Sequence, residues 1–178
     1  MIKLTTALLA LTSSISFTAV QAGDSPADLN DLQIAHVAYT ADNIDIQYAH
    51  LALAISTNPD IHDFANTMIR DHTAVNEQAL ALLKKLKADP QDNFLSQSLQ
   101  EGAVKIIDDL SQLRGAVFDR RYAENELAYH KAVNNLMSTA FIPNIENGEV
   151  KDLFKAGYKI FLAHEAHAKK MVASLYAK

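Results

Sequence analysis

The chain has 178 residues, a formal charge of −5 and no cysteine. Its length suits one domain around a single core, and its acidity argues against nucleic acid as a partner. Without thiols there are no disulfides, no thiol catalysis, no cysteine-anchored lipid, no covalent c-type haem and no cysteine-ligated iron–sulfur cluster. Any metal must then be held by His, Asp, Glu, Tyr or Met.

Residues 1–22 read as an export signal. Lys3 carries the positive charge, Leu4 to Val20 form a largely apolar stretch, and Val20-Gln21-Ala22 supplies a small-x-small cleavage pattern. The stretch is too short and too rich in Ser and Thr for a comfortable membrane span. Residues 23–178 are expected to form one domain without a transmembrane segment, located in the periplasm or secreted.

Few glycines and prolines interrupt this remainder, and apolar residues recur at spacings of three and four, which is an all-α pattern. The first helix is predicted over about Leu29 to Ile55, after a Ser25-Pro26 start signal. Asn58-Pro59 marks a turn, with Asn58 as cap and Pro59 as first residue of a second helix running to about Lys87. Residues 88–115 are less regular and contain a shorter helix around Ala103 to Leu113, closed by Gly115. A third long helix follows over about Ala116 to Thr139. After a loop through Pro143 and Gly148, the fourth covers about Glu149 to Tyr176. The expected architecture is an antiparallel four-helix bundle with a short extra helix between helices 2 and 3.

Each long helix carries a polar residue on or beside its apolar stripe. His72 lies at the centre of the stripe formed by Phe64, Met68, Val75 and Leu83, and His164 lies within that of Phe161, Ala168 and Met171. Asp45 is flanked by Ile44, Tyr48 and Ala52. Glu126 stands just off the centre of the third stripe, with His130 at its edge. Asp45 precedes the Asn58 turn by about 12 residues and His72 follows it by about 14. At roughly 1.5 Å per residue both lie about 20 Å from that turn. In an up-down-up-down bundle the last turn sits at the same end, which puts Glu126 and His164 at nearly that level too.

Burying carboxylates and imidazoles costs free energy unless they find partners. One reading is a structural polar layer, with His72 bonded to Asp45 and His164 to Glu126, that fixes register. The other is a metal site of His72, His164 and His130 with Asp45 and Glu126, and with His167 as a weaker candidate at the stripe margin. Imidazoles with carboxylates suit Zn, Cu(II), Fe or Mn, and affinity order favours copper or zinc. His36, His50 and His62 are expected at the surface. Ferritin-type di-iron sites use Glu-x-x-His twice, and here Leu127 and Phe161 occupy the positions three before His130 and His164. A mononuclear site or a pair of less common design fits better. No phosphate loop, serine-nucleophile motif or His-Glu-x-x-His signature is present. Metal handling or stress protection is therefore favoured over catalysis, with a scaffold role as the alternative, non-covalent haem as a third reading, and a homodimer compatible with all of them.

The pattern Phe64-Ala65-x-x-Met68-Ile69-x-Asp71-His72-Thr73-x-x-Asn76, then Phe118-Asp119-x-x-Tyr122-x-x-x-Glu126-x-x-x-His130, then a last helix with His164, resembles the domain of unknown function 4142 family. These are exported bacterial proteins, often labelled putative outer-membrane proteins. The resemblance runs from about Leu32 into the last helix and implies a ferritin-like four-helix fold and an exported location, with no settled activity. Family members more often carry Glu at the position of Asp45, and commonly Gln at that of Glu126.

Overall fold

The computed structural model describes residues 25–177, so the expected export signal lies outside the described residues. After a single 3-10 turn at Pro26–Asp28, the main helices are α1 (Asp31–Ile55), α2 (Pro59–Leu86), α3 (Phe94–Ser111), α4 (Gly115–Leu136) and α6 (Gly148–Tyr176). Between the last two lie a π-helical turn at Met137–Phe141 and the one-turn α5 (Ile142–Asn144). Among the described residues there is no strand, and no helix is long and apolar enough to cross a membrane.

Local chemistry sets the boundaries. Asn30 opens α1 with a capping box, its side chain accepting from the Leu32 and Gln33 amides while the Gln33 side chain accepts from the Asn30 amide. Asn58 caps α2 and Pro59 begins it, as the sequence predicts. Lys87 ends α2 in the left-handed conformation at φ 53°.

The intervening helix is longer than expected. It starts at Phe94 rather than near Ala103, because Asn93 and Ser96 form a second capping box. Ser stands there in place of the Glu or Gln that usually marks this motif, which hides the start in the sequence. Gly115 adopts φ +57° and reverses the chain into α4 instead of closing the helix before it. Arg114 meanwhile donates to the carbonyls of Ser111 and Leu113 at the end of α3. The π-turn after α4 carries Ser138 and Thr139, whose hydroxyls donate to carbonyls of the preceding turn.

Packing runs in a ring. α1 lies against α2 and α4, α6 lies against α2 and α4, and α3 covers α1. Chain direction corrects one expectation. Asp31 at the start of α1 accepts from the amides of Glu146 and Asn147 before α6, and Ser56 after α1 donates to Asp119 early in α4. The Asn58 turn and the loop before α6 therefore lie at opposite ends of the molecule, not at the same end. α3 causes this: it spans the length of the ring and returns the chain, so α4 runs parallel to α2.

Two apolar clusters fill the interior. One, toward the Asn58 end, includes Ala52, Ile61, Phe64, Met68, Phe118, Tyr122 and Met171. The other includes Leu29, Ile34, Val37, Phe141, Val150, Phe154 and Phe161. A polar layer at mid-height separates them.

Candidate metal centre

The layer draws on four helices. On α1, Asp42 and Asp45 stand one turn apart and share a face, and both are buried. His72 of α2 enters between them. Its Nδ1 lies 2.7 Å from Asp42 Oδ1 in a hydrogen bond, and its Nε2 lies 2.6 Å from Asp45 Oδ2. The second contact lacks the alignment of a hydrogen bond, so both atoms remain without one.

On α4, Glu126 and His130 are spaced i, i+4 and are both fully buried. His130 Nδ1 donates to the backbone carbonyl of Glu126 at 2.9 Å. A carbonyl can only accept, so this bond fixes the tautomer and leaves Nε2 with a free lone pair. That atom is 3.7 Å from Asp45 Oδ2 and has no hydrogen-bond partner. On α6, His164 Nε2 donates to Asp71 Oδ2 at 3.0 Å, and its Nδ1 is buried and unpartnered.

One pattern thus repeats three times. Each imidazole has one nitrogen held by an outer oxygen, from Asp42, the Glu126 carbonyl or Asp71, and one nitrogen with no aligned partner. The rings converge, with centroids 5.8 Å apart for His72 and His130, 5.2 Å for His72 and His164, and 5.4 Å for His130 and His164. His72, His130 and His164 bring ligand atoms within 4.8 Å of one another, and so do Asp45, Glu126 and His130. Phe161 stacks on His72 at 4.9 Å and walls the layer on one side.

Burial pulls each imidazole toward its neutral form, and neighbouring charges decide the outcome. At His72 burial is outweighed by the charge of Asp45 and the hydrogen bond to Asp42, which push its pKa up to about 10. At His130 burial prevails over the opposing charge of Asp45, and the pKa falls. Burial also prevails at His164, whose pKa drops to about 4 despite the hydrogen bond to Asp71. The two carboxyls diverge. Burial raises Glu126 and the charge of Asp45 raises it further. Burial acts the same way on Asp45, but the charges of His72 and His130 overcome it and hold Asp45 below the usual carboxylate range. The shared environment thus favours the protonated form of Glu126 and the ionised form of Asp45.

Four helices bring together all five principal candidates: His72, His164, His130, Asp45 and Glu126. His130 is not marginal, as its place at a stripe edge suggested, but 1% exposed, because α1 and α6 both cover α4. His167 stays outside and packs edge-on against Phe64 at 5.0 Å. The His164–Glu126 pair of the structural-layer reading does not form, since His164 reaches Asp71 instead. His50 is exposed as expected, whereas His36 and His62 are only half-buried, beside Asp92 and the Ser56 carbonyl. Asp42 is not singled out by the sequence, and Asp71 enters there only within the Asp71-His72 pattern, without a role in the site. The available signals were the spacing of three between Asp42 and Asp45, and the position of Asp71 next to His72.

Three imidazoles with an adjacent carboxylate are the donor types that zinc and copper sites use. No characterised protein and no solved structure gives a significant match to the chain. The family model described as a domain of unknown function, DUF4142, matches residues 16–171, the same stretch that contains every residue of this layer. The chain belongs to the DUF4142 family.

Proposed function

We propose that this is an exported metal-binding protein that serves metal handling or protection under stress, with one transition ion held by His72, His130, His164 and Asp45. One observation carries the reading: each of the three imidazoles has an outer acceptor on one nitrogen and a buried nitrogen without an aligned hydrogen bond on the other, that of His72 lying 2.6 Å from the Asp45 carboxylate. Metal-binding histidines are oriented in this way, because the outer acceptor selects the tautomer and raises ligand basicity. Copper and zinc lead by affinity order, with iron next.

The ring of α1, α2, α4 and α6, with α3 as one long crossover, supports a four-helix bundle of the ferritin-like type. Export rests on the charge, apolar stretch and small-x-small pattern of residues 1–22. Protein exposed to Zn(II) or Cu(II) and then dialysed should retain close to one ion per chain by elemental analysis. His72→Ala should release it. Wild-type protein that stays metal-free after incubation with these ions would sink the proposal.

The contacts of His72 with two carboxylates favour a second reading, a structural polar layer in a scaffold protein. In that case His72→Ala lowers the melting temperature, and added metal leaves the wild-type melting temperature where it was.

A further inference from the structure

We propose that the layer also contains a second cation subsite, formed by Glu126 and Asp45 beside Tyr122, that takes an oxygen-preferring divalent ion such as Mn(II). The inference rests on the metal reading above and extends it.

Donor supply exceeds what a single tetrahedral ion uses. Three imidazole nitrogens and one Asp45 oxygen fill four positions. The other Asp45 oxygen, both oxygens of Glu126 and the Tyr122 hydroxyl remain; Asp45 and Tyr122 both approach Glu126, yet none of these buried atoms has an aligned hydrogen bond. Asp45, Glu126 and Tyr122 are each 0% exposed, so solvent does not satisfy these atoms. Among the described residues, Asp45 and Glu126 form ion pairs with His72 and His130 and with no Lys or Arg.

Asp45, Glu126 and His130 bring ligand atoms within 4.8 Å of one another, a set that overlaps the histidine set only at His130. Asp45 adjoins both: one oxygen lies at His72 and His130, and Glu126 approaches the same carboxyl, which is the placement of a bridging carboxylate. Carboxylate and phenol oxygens are hard donors, which match Mn(II) or Mg(II) better than zinc.

The test uses the whole protein loaded with one equivalent of Zn(II), dialysed, and titrated with Mn(II). Free Mn(II) is counted by electron paramagnetic resonance and zinc by elemental analysis. The expected result is one manganese bound per chain beside the retained zinc, with Glu126→Gln weakening manganese binding at least tenfold. Retained zinc without bound manganese overturns the second subsite and leaves the first reading standing. Loss of zinc on dialysis, with no manganese bound, overturns both. Unchanged manganese affinity in a Glu126→Gln chain with the wild-type circular dichroism spectrum also overturns the assignment. Where that variant does not fold, the wild-type stoichiometry decides.

Discussion

Asp42 Oδ1 lies 2.7 Å from Nδ1 of His72 and turns the opposite nitrogen of that ring toward the centre of the layer. Asp42 thus acts through His72, as a positioning residue. Asp42→Asn keeps the shape but can present an amide nitrogen that cannot accept a proton from the ring. Zinc affinity should fall about 10- to 100-fold, the usual cost of losing an outer partner of a metal-binding histidine. Competition titration against a chromogenic chelator measures it, and an affinity within twofold of wild type would remove Asp42 from this role.

Binding an ion should release protons near neutral pH. His72, at about 10, is protonated in the ion-free protein at pH 7, whereas His164, at about 4, is not. The ligand form of His72 is neutral, so close to one proton should leave as zinc binds, and a further one if Glu126 ionises. Calorimetric titrations in buffers of different ionisation enthalpy count the released protons, with zero as the contrary result.

The same two histidines shape the stability of the ion-free protein, with opposite signs. The raised pKa of His72 contributes stability that is complete below the unfolded value of 6.5 and is lost as pH rises through about 10. The lowered pKa of His164 contributes stability above 6.5 that is lost as pH falls through about 4. The melting temperature without metal should therefore peak between these limits and fall by several degrees toward pH 4 and toward pH 10. A flat profile across that window would contradict the assignment.

Phe161 is a wall residue, 4% exposed and stacked 12° from parallel on the His72 ring. Phe161→Ala should cost about 3–5 kcal/mol, the range for large-to-small changes in a core. Urea denaturation at fixed metal content reads this directly, and a loss under 1 kcal/mol would mean that the wall collapses to fill the space.

Gly115 offers a cleaner backbone test. A Cβ there meets no atom within 4 Å, so the cost of Gly115→Ala arises from its φ of +57° alone. The expected loss is about 1–2 kcal/mol with an unchanged denaturant slope, and metal stoichiometry should stay as it was.

Much of the fold was legible because helix punctuation here is local. Asn58-Pro59 places a boundary to the residue, and the apolar stripes locate His72 and His164 correctly. The start of α3 was hidden because Ser96 does what Glu or Gln usually does in a capping box. With most of α3 hidden, nothing in the sequence shows that it spans the molecule, and the directions of α4 and α6 come out reversed. The layer stays legible, since its residues sit near the middle of their helices, where reversing a helix leaves the level almost unchanged. Partner choice was not legible. Whether His164 reaches Glu126 or Asp71 depends on how helices rotate against one another, and periodicity in one helix does not encode that.

The donors of the polar layer are drawn from α1, α2, α4 and α6, so the chain from Asp42 to His164 must be in place before they meet. No hairpin of this protein contains them all, and α6 contributes its imidazole from near the end of the sequence. Contacts of such long sequence separation are among the later ones to form. The cluster is therefore complete only once α6 has docked, and the α1–α2 hairpin by itself brings together no more than Asp42, Asp45, Asp71 and His72 of the layer.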